Sequence, residues 1–359
     1  MGNKSYFFDM LENVRKKILS LSDDNYIKMA LSDDILNEIE SKVAKLQENE
    51  LTYEYYPPLF MFIYRHDLTV INGLNDDILL IKQNSSIEFF NNLITFLQAS
   101  NNKQTSDKGV RKWANSFFEV FIKANLLKKF SKDIIKLDKK LQNGKNVDVS
   151  LKLSNKWMNF EVTMLSSSDE DYYAYDQYNE ALKNNPNEVL IRPGKYDTPN
   201  SKSPSPYNDR FRIFGKIYDK ITNEKLDVDK SQMSPNEPNV ILLFIGDALS
   251  LLPYSPGVGW AFDELFAAQP KGKESPFIKW IHYKIKHLDF RNEWYCENLN
   301  KVISAPRKLS GVIIFNGCNG DIIESRINYN VNKENKISQK EMAEIEEIFK
   351  DRPNYFTGK

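Results

Sequence analysis

Cysteine and histidine are scarce in this chain of 359 residues, which contains two cysteines and three histidines. So few cysteines exclude a disulfide-stapled scaffold and favour a reducing compartment. No apolar run approaches the roughly 18 residues of a membrane span, and the longest runs, at 59–64 and 240–245, have the size of core segments. The first residues, MGNKSY, lack the apolar stretch of a signal peptide. We therefore expect a soluble cytoplasmic protein.

The chain also lacks an excess of charge of either sign, because 49 Lys and Arg residues balance 49 Asp and Glu residues. This balance excludes a bulk polycation, so any nucleic-acid surface must be a local patch. Hydrophobic residues make up 41% and charged residues 27%, which is typical of a globular protein rather than a disordered one. The length predicts two or three folding units.

Several familiar catalytic signatures are absent. The sequence has neither a Gly-x-Ser-x-Gly elbow nor a Ser-His-Asp order. The glycines at 257 and 259 lack the third glycine of a dinucleotide fingerprint and the Lys-Ser/Thr of a P-loop. His282, His287, Cys296 and Cys318 match no usual zinc-ligand spacing. These observations disfavour a triad hydrolase, a nucleotide-binding fold and a zinc site.

The order of periodic segments predicts an α/β protein that begins with a helical region. Residues 1–105 read as helices, with apolar periodicity at 35–46, 60–71 and 87–97. Residues 106–335 read as an α/β core, and 336–359 as a C-terminal helix and tail. Within the core, we expect a helix at 110–125, a β-hairpin at 147–153 and 157–165, a helix at 209–226, and strands at 239–245 and 309–315.

Charged residues of that core form a pattern that points to chemistry. Asp148 lies in the first hairpin strand, Glu161 in the second, and Glu119 in the preceding helix. Lys216 and Lys220 lie one turn apart on the following helix and therefore share a face. A hairpin that places two carboxylates side by side, backed by a third, predicts an oxygen-rich pocket for Mg²⁺. Each residue also has a purely structural interpretation, as a solvated strand acid or a lysine that flanks an apolar stripe.

Asp148, followed by Glu161-Val162-Thr163 at the end of a strand, resembles the PD-(D/E)XK nuclease superfamily. In that family a helix with a Glu precedes a hairpin that carries an Asp and a (D/E)-x-K tripeptide, and a helix and a strand follow. The chain departs from the motif because Thr163 replaces the lysine. It is similar to members in which the lysine has moved to the following helix, over about residues 110–335. The resemblance implies a restriction-endonuclease-like mixed sheet flanked by helices.

The resemblance further implies a metal-dependent endonuclease that hydrolyses phosphodiester bonds, with DNA favoured, in bacterial restriction or anti-phage defence. Asp148 and Glu161 would hold Mg²⁺ or Mn²⁺, and the carbonyl or hydroxyl of Thr163 would add a ligand. Glu119 would support the metal from its helix. Lys216 or Lys220 would replace the motif lysine.

Clustered basic residues give the expected nucleic-acid contacts, because lysines crowd the segment 123–140 and arginines precede Lys216. From these clusters we single out Lys128, Lys129, Arg210 and Arg212. Two alternatives stay open. One is a nucleic-acid-binding or scaffolding protein that kept the fold and lost the chemistry, which Thr163 favours. The other is a hydrolase of small phosphoesters. Whether the chain forms a homodimer or binds another protein is also open.

Overall fold

A computed structural model describes residues 4–45, 58–85, 91, 106–165, 206–222, 226–245, 257–267, 275–287, 299–317, 319–353 and 355. The chain forms two compact units, Met1–Lys132 with Asp351–Lys359, and Asp133–Lys350. The helix that the sequence-based division assigns to the core, Ser106–Lys129, belongs to the first unit. The C-terminal helix Gln339–Lys350 belongs to the second.

The described part of the first unit contains the helices α1 Lys4–Leu19, α2 Tyr26–Ala30, α3 Asp33–Lys45, α4 Pro58–Arg65, α5 Leu68–Lys82 and α6 Ser106–Lys129. The helix predicted at 35–46 is confirmed as α3. The single helix predicted at 60–71 is wrong, because two helices cover that stretch. Asp67 caps α5 by accepting a hydrogen bond from the Val70 N–H at 2.9 Å, which starts a new helix there. The helix predicted at 87–97 lies almost entirely outside the described residues.

Residues of the C-terminal tail anchor to α5 and α6 within the first unit. The buried Tyr355 hydroxyl donates to Asp77 Oδ2 at 2.8 Å, and Lys128 forms an ion pair with the same carboxylate. The Asn125 amide donates to the Asp351 carbonyl at 2.9 Å. Burial, followed by the charge of Asp77 and its hydrogen bond, raises the pKa of Tyr355 well above its ordinary value.

We expect Tyr355→Phe to lower the free energy of unfolding by about 1–2 kcal/mol at pH 7, because a buried hydrogen bond to a carboxylate is lost. The raised pKa means that the folded protein keeps the phenol proton after the unfolded chain has lost it. The stabilisation from this group should therefore decline once the pH rises above about 10. Denaturant unfolding at neutral and alkaline pH measures both effects.

The exposed-phenol variant Tyr329→Phe is the control, because Tyr329 is 68% exposed. A difference between wild type and Tyr355→Phe that stays constant across the alkaline range would contradict the assignment.

A six-stranded mixed sheet organises the second unit: β1 Ile135–Lys140, β2 Asn146–Leu153, β3 Lys156–Leu165, β4 Asn239–Ile245, β5 Gly311–Asn316 and β6 Ile322–Ile327. The strands follow one another in chain order across the sheet. The pairs β3–β4 and β4–β5 are parallel, and the other neighbours are antiparallel. The predicted hairpin and the two predicted later strands are confirmed. Strands β1 and β6 were not predicted.

Helices cover both faces of this sheet: α7 Pro206–Ile221, α8 Gly257–Leu265, α9 Pro276–His287 and α10 Gln339–Lys350. One face places Ile241 and Leu243 in a core shared with Phe214 and Ile217 of α7. On the other face the ring of Phe349 in α10 packs edge-on against Phe315 and Phe160. The structure is therefore a mixed α/β fold with flanking helices.

Gly311, at the start of β5, provides a test of this packing. A Cβ atom built there would lie 2.5 Å from Cε of Met342 in α10 and 2.7 Å from the carbonyl oxygen of Arg326 in β6. We expect Gly311→Ala to cost about 1–3 kcal/mol of unfolding free energy, because neither the neighbouring strand nor the helix can move freely. Thermal or denaturant unfolding measures the loss.

Gly215→Ala is the matched control within the same unit. Nothing lies within 4 Å of its added methyl, and alanine is the better helix former by about 1 kcal/mol. Equal effects of the two substitutions would contradict the packing described.

Candidate active site

The β2–β3 hairpin sets the positions of both candidate acids. Its turn residues Ser154 and Asn155 have φ angles of 48° and 66°, as a tight two-residue hairpin turn requires. The pairing of the two strands ends with Val149 opposite Phe160, and before it Ser150 lies opposite Asn159. Asp148 lies two positions from Ser150, and Glu161 lies two positions from Asn159. Both side chains therefore project from the same face of the sheet.

Asp148 holds the hairpin together where the ladder ends. Its Oδ2 accepts a hydrogen bond from the Val162 backbone N–H at 2.7 Å. The carboxylate thus occupies the place of a strand carbonyl, which fixes its orientation next to Glu161. This role accounts for an acid in the hairpin on structural grounds, and it also presents the carboxylate in a defined position.

Glu161 lies between the sheet and α7. Its partner across the parallel β3–β4 ladder is Ile241, whose side chain belongs to the core shared with α7. The Glu161 residue is only 1% exposed, and Lys220 Nζ lies 2.5 Å from its Oε1. A lysine of the following helix therefore meets the strand glutamate, and together with Asp148 these residues form the candidate site.

The remaining predicted residues of the second unit lie close to this pair along the chain. Thr163 follows Glu161 on the same face of β3, opposite Leu243, and is 1% exposed. Lys216 lies one turn before Lys220 on α7 and is half-buried. Arg212 is also half-buried on α7, whereas the side chain of Arg210 lies outside the described part of the chain.

Glu119 belongs to the first unit and has local partners. It accepts a hydrogen bond from the Asn115 amide at 2.9 Å and lies 3.6 Å from the ammonium of the completely buried Lys123. Its predicted support of a metal remains a prediction. Lys128 pairs with Asp77, and Lys129 pairs with Asp351 at 2.9 Å, so carboxylates already neutralise both lysines. Their predicted contacts with nucleic acid also remain predictions.

A row of polar side chains next to the acids was missed by the sequence reasoning. Ser150 Oγ donates to Asn159 Oδ1 at 2.6 Å, and the Asn159 amide donates to Glu237 at 3.0 Å. Glu237 also pairs with Lys139 at 2.6 Å. Burial acts to raise the pKa of Glu237, but the hydrogen bonds from Lys139 and Asn159 outweigh it and hold the pKa below its ordinary value.

This row lies two strand positions from the acids, about 6.6 Å along β3. It fixes the hairpin against the start of β4, since the Asn159 amide also reaches Asn239 Oδ1 at 3.3 Å. The signal available in the sequence was the position of Asn159 two residues before Glu161, which puts both side chains on the same face of β3. The partners Lys139 and Glu237 come from distant segments and carry no such signal.

The donor atoms at the site fit a hard divalent cation. Asp148, Glu161 and Thr163 offer only oxygen ligands, which Mg²⁺ prefers, and the recorded hydrogen bond of Asp148 uses one carboxylate oxygen. Within the described ranges, no group of three or more His, Cys, Asp or Glu side chains is placed to hold a metal ion. A cation at this site would have to share the Glu161 carboxylate with Lys220 or draw it away.

Comparisons with known proteins give no family assignment. No family model, curated protein or solved structure matches the chain. Among the helices of the described residues, none combines the length and the apolar composition needed to cross a bilayer.

A double-mutant cycle on Glu161 and Lys220 tests the ion pair. We expect Lys220→Met to cost about 2–3 kcal/mol of unfolding free energy at pH 7, because it removes the cation that lies 2.5 Å from a buried carboxylate. Glu161→Gln in the same background should restore most of that loss.

Denaturant unfolding at pH 7 provides these free energies. Lys340→Met is the matched control, because its side chain is 88% exposed on α10. Additive single and double effects would show that the two groups are not coupled.

Proposed function

We propose that this chain is a metal-dependent nuclease that hydrolyses phosphodiester bonds of nucleic acid, with DNA as the favoured substrate. The observation that carries the proposal is the 2.5 Å contact between Lys220 of α7 and Glu161 of β3. The motif position of the lysine holds Thr163, and this contact supplies an ammonium to the same face from the following helix. A cation beside two carboxylates is the set of groups that phosphodiester hydrolysis uses.

The order of elements supports the same proposal. Helix α6, the antiparallel strands β1 to β3, helix α7 and the parallel strand β4 follow one another as in the PD-(D/E)XK superfamily. Asp148 and Glu161 come from the two hairpin strands at which that family carries its acids. A restriction-endonuclease-like core is therefore the finer fold that we propose for residues 106–335, of which α6 belongs to the first unit and the sheet to the second.

Each side chain of the site has a defined task in this proposal. Asp148 and Glu161 would hold Mg²⁺ or Mn²⁺, with Thr163 contributing its hydroxyl or carbonyl oxygen. When bound, the metal polarises a phosphate oxygen and lowers the pKa of a coordinated water. Lys220 would stabilise the negative charge that develops on the phosphate, and Lys216, one turn away, would contact a neighbouring phosphate. The Val162 N–H keeps the Asp148 carboxylate turned towards the site.

The setting that we propose is bacterial restriction or anti-phage defence, in which such nucleases act on foreign nucleic acid. Arg210 and Arg212 precede the catalytic lysines on α7, so a strand bound at the site would run along that helix. Guanidinium groups suit this position because they bind phosphate in a bidentate manner.

A specific observation favours the alternative of a catalytically degenerate binding or scaffolding module. Glu161 is 1% exposed and already has a cationic partner, so the ion pair completes the local packing without a metal. In that case the fold would retain affinity for nucleic acid and lack cleavage.

Cleavage of plasmid, single-stranded DNA and RNA with Mg²⁺ or Mn²⁺ tests the proposal. We expect Glu161→Gln and Asp148→Asn to abolish cleavage, and Lys220→Met to slow it by about 10²-fold, as removal of one charge-stabilising donor does. Lys340→Met, on the exposed face of α10, should leave the rate unchanged.

Folding of each variant is checked by circular dichroism, and binding by fluorescence anisotropy with Ca²⁺ in place of Mg²⁺. Tight binding without cleavage in any metal would favour the binding module. Cleavage that survives Glu161→Gln would overturn the assignment of the site.

A further inference from the structure

The two edges of the sheet in the second unit differ in chemistry. Strand β1 carries Lys136, Lys139 and Lys140, and lysines on an edge strand oppose pairing with another chain. Strand β6 reads Ile322-Ile323-Glu324-Ser325-Arg326-Ile327, with neither lysine nor proline. It is the last strand of the described sheet. The protection found at β1 is therefore missing from the sequence of β6.

The hydrogen-bonding phase of β6 identifies the groups that point outward. The Asn328 N–H donates to the Ser310 carbonyl at 2.9 Å, so the even-numbered positions Glu324 and Arg326 direct their backbone groups towards β5. The N–H and C=O of Ser325 and Ile327 consequently point away from β5. These are the groups that a further strand would bond.

The side chains around this edge leave room for a partner. A cleft of about 530 Å³ follows β6 between Phe262 and Asp263 of α8 and Met342 and Glu346 of α10. Among the described residues of the second unit, the large hydrophobic side chains that are exposed are Trp260, Ile323 and Tyr329. They lie on α8, on β6 and two residues beyond β6. Exposed apolar groups confined to one region of a surface mark an interaction site.

The sequence of β6 is complementary to itself about Ser325. In an antiparallel pairing of two copies with Ser325 opposite Ser325, Glu324 of one copy faces Arg326 of the other. The pairing is confined to the regular part of β6 from Glu324 onwards, because the ladder with β5 shifts register between Ile322 and Glu324. Ser325 would form the hydrogen-bonded pair on the two-fold axis, because its backbone groups point outward. The charged residues would then form non-hydrogen-bonded pairs, in which Cα atoms lie about 4.5 Å apart and side chains come closest.

We propose that a second copy of this chain pairs with β6 in this antiparallel register, which joins two sheets into one across a two-fold axis. An isologous interface requires a self-complementary patch, and the charges of β6 meet that condition. Within one chain, Arg326 already contacts Glu324 at 2.5 Å and Asp263 at 2.9 Å, so its guanidinium is held on the face where Glu324 of the second copy would lie. The proposal does not depend on the nuclease assignment.

Sedimentation velocity across a concentration series tests the pairing, with charge swaps as variants. Wild type should dimerise. Glu324→Arg alone and Arg326→Glu alone should each weaken the dimer by about tenfold or more, because each places like charges opposite one another twice. The double swap Glu324→Arg/Arg326→Glu should recover dimerisation. Asp263→Asn, which removes only the contact within one chain, should leave the dimer intact.

A cross-link tests the register. Ser325→Cys in a background with Cys296→Ser and Cys318→Ser should form an intermolecular disulfide on mild oxidation, since Cα atoms of a hydrogen-bonded pair lie about 5.5 Å apart, within the range for disulfides. Lys152→Cys, an exposed position on β2, is the control and should stay reduced. A wild type that is monomeric at every concentration, a double swap that fails to recover the dimer although folded, or equal cross-linking at both positions would overturn the proposal. If the cleft instead receives a strand of another protein, the wild type should be monomeric at every concentration.

Discussion

A carboxylate that is buried against a sheet loses its hydration, and a nearby cation offsets this loss. This requirement links helix α7 to strand β3. Glu161 is 1% exposed, and Lys220 meets it at 2.5 Å from a helix whose Phe214 and Ile217 fill the core above β4. The apolar side chains of α7 fix its height and rotation, and the rotation places Lys220 at the carboxylate. The candidate site is therefore a consequence of core packing, and the two cannot be altered separately.

Stability alone gives little reason for such a pair. Buried ion pairs contribute little net free energy, because the loss of hydration offsets most of their attraction, and apolar residues of similar volume serve as well or better. The polar row formed by Ser150, Asn159 and Glu237, next to the acids, also carries the free-energy cost of removing polar groups from water. Two adjacent polar layers next to the apolar core of Ile241 and Leu243 are compatible with a chemical use for this region, as in the proposed nuclease.

The sequence predicted the elements whose patterns are local. Strand β4 is an unbroken apolar run, and the alternation along β3 correctly assigned Glu161 and Thr163 to one face. Strand β6 was missed because its charges at alternate positions conceal a strand whose other face is covered by α10. The contact of Lys139 with Glu237 joins residues 98 positions apart, and no local pattern encodes it. The contact of Lys220 with Glu161 depends on the rotation of α7, which only the packed core determines.

The edges of the sheet show how the backbone of one residue changes the surface chemistry of a strand. Lys136 and Lys139 are separated by an odd number of positions, so a regular strand would direct them to opposite faces. Asp138 between them has a φ of 50°, which breaks the alternation, and both ammonium groups lie over the ring of Trp157, at 4.3 and 5.7 Å. Strand β1 thus carries three lysines that oppose pairing with another chain, and two of them pack against the ring of Trp157. In strand β6 the outward N–H and C=O groups of Ser325 and Ile327 form a template to which a complementary strand can bond.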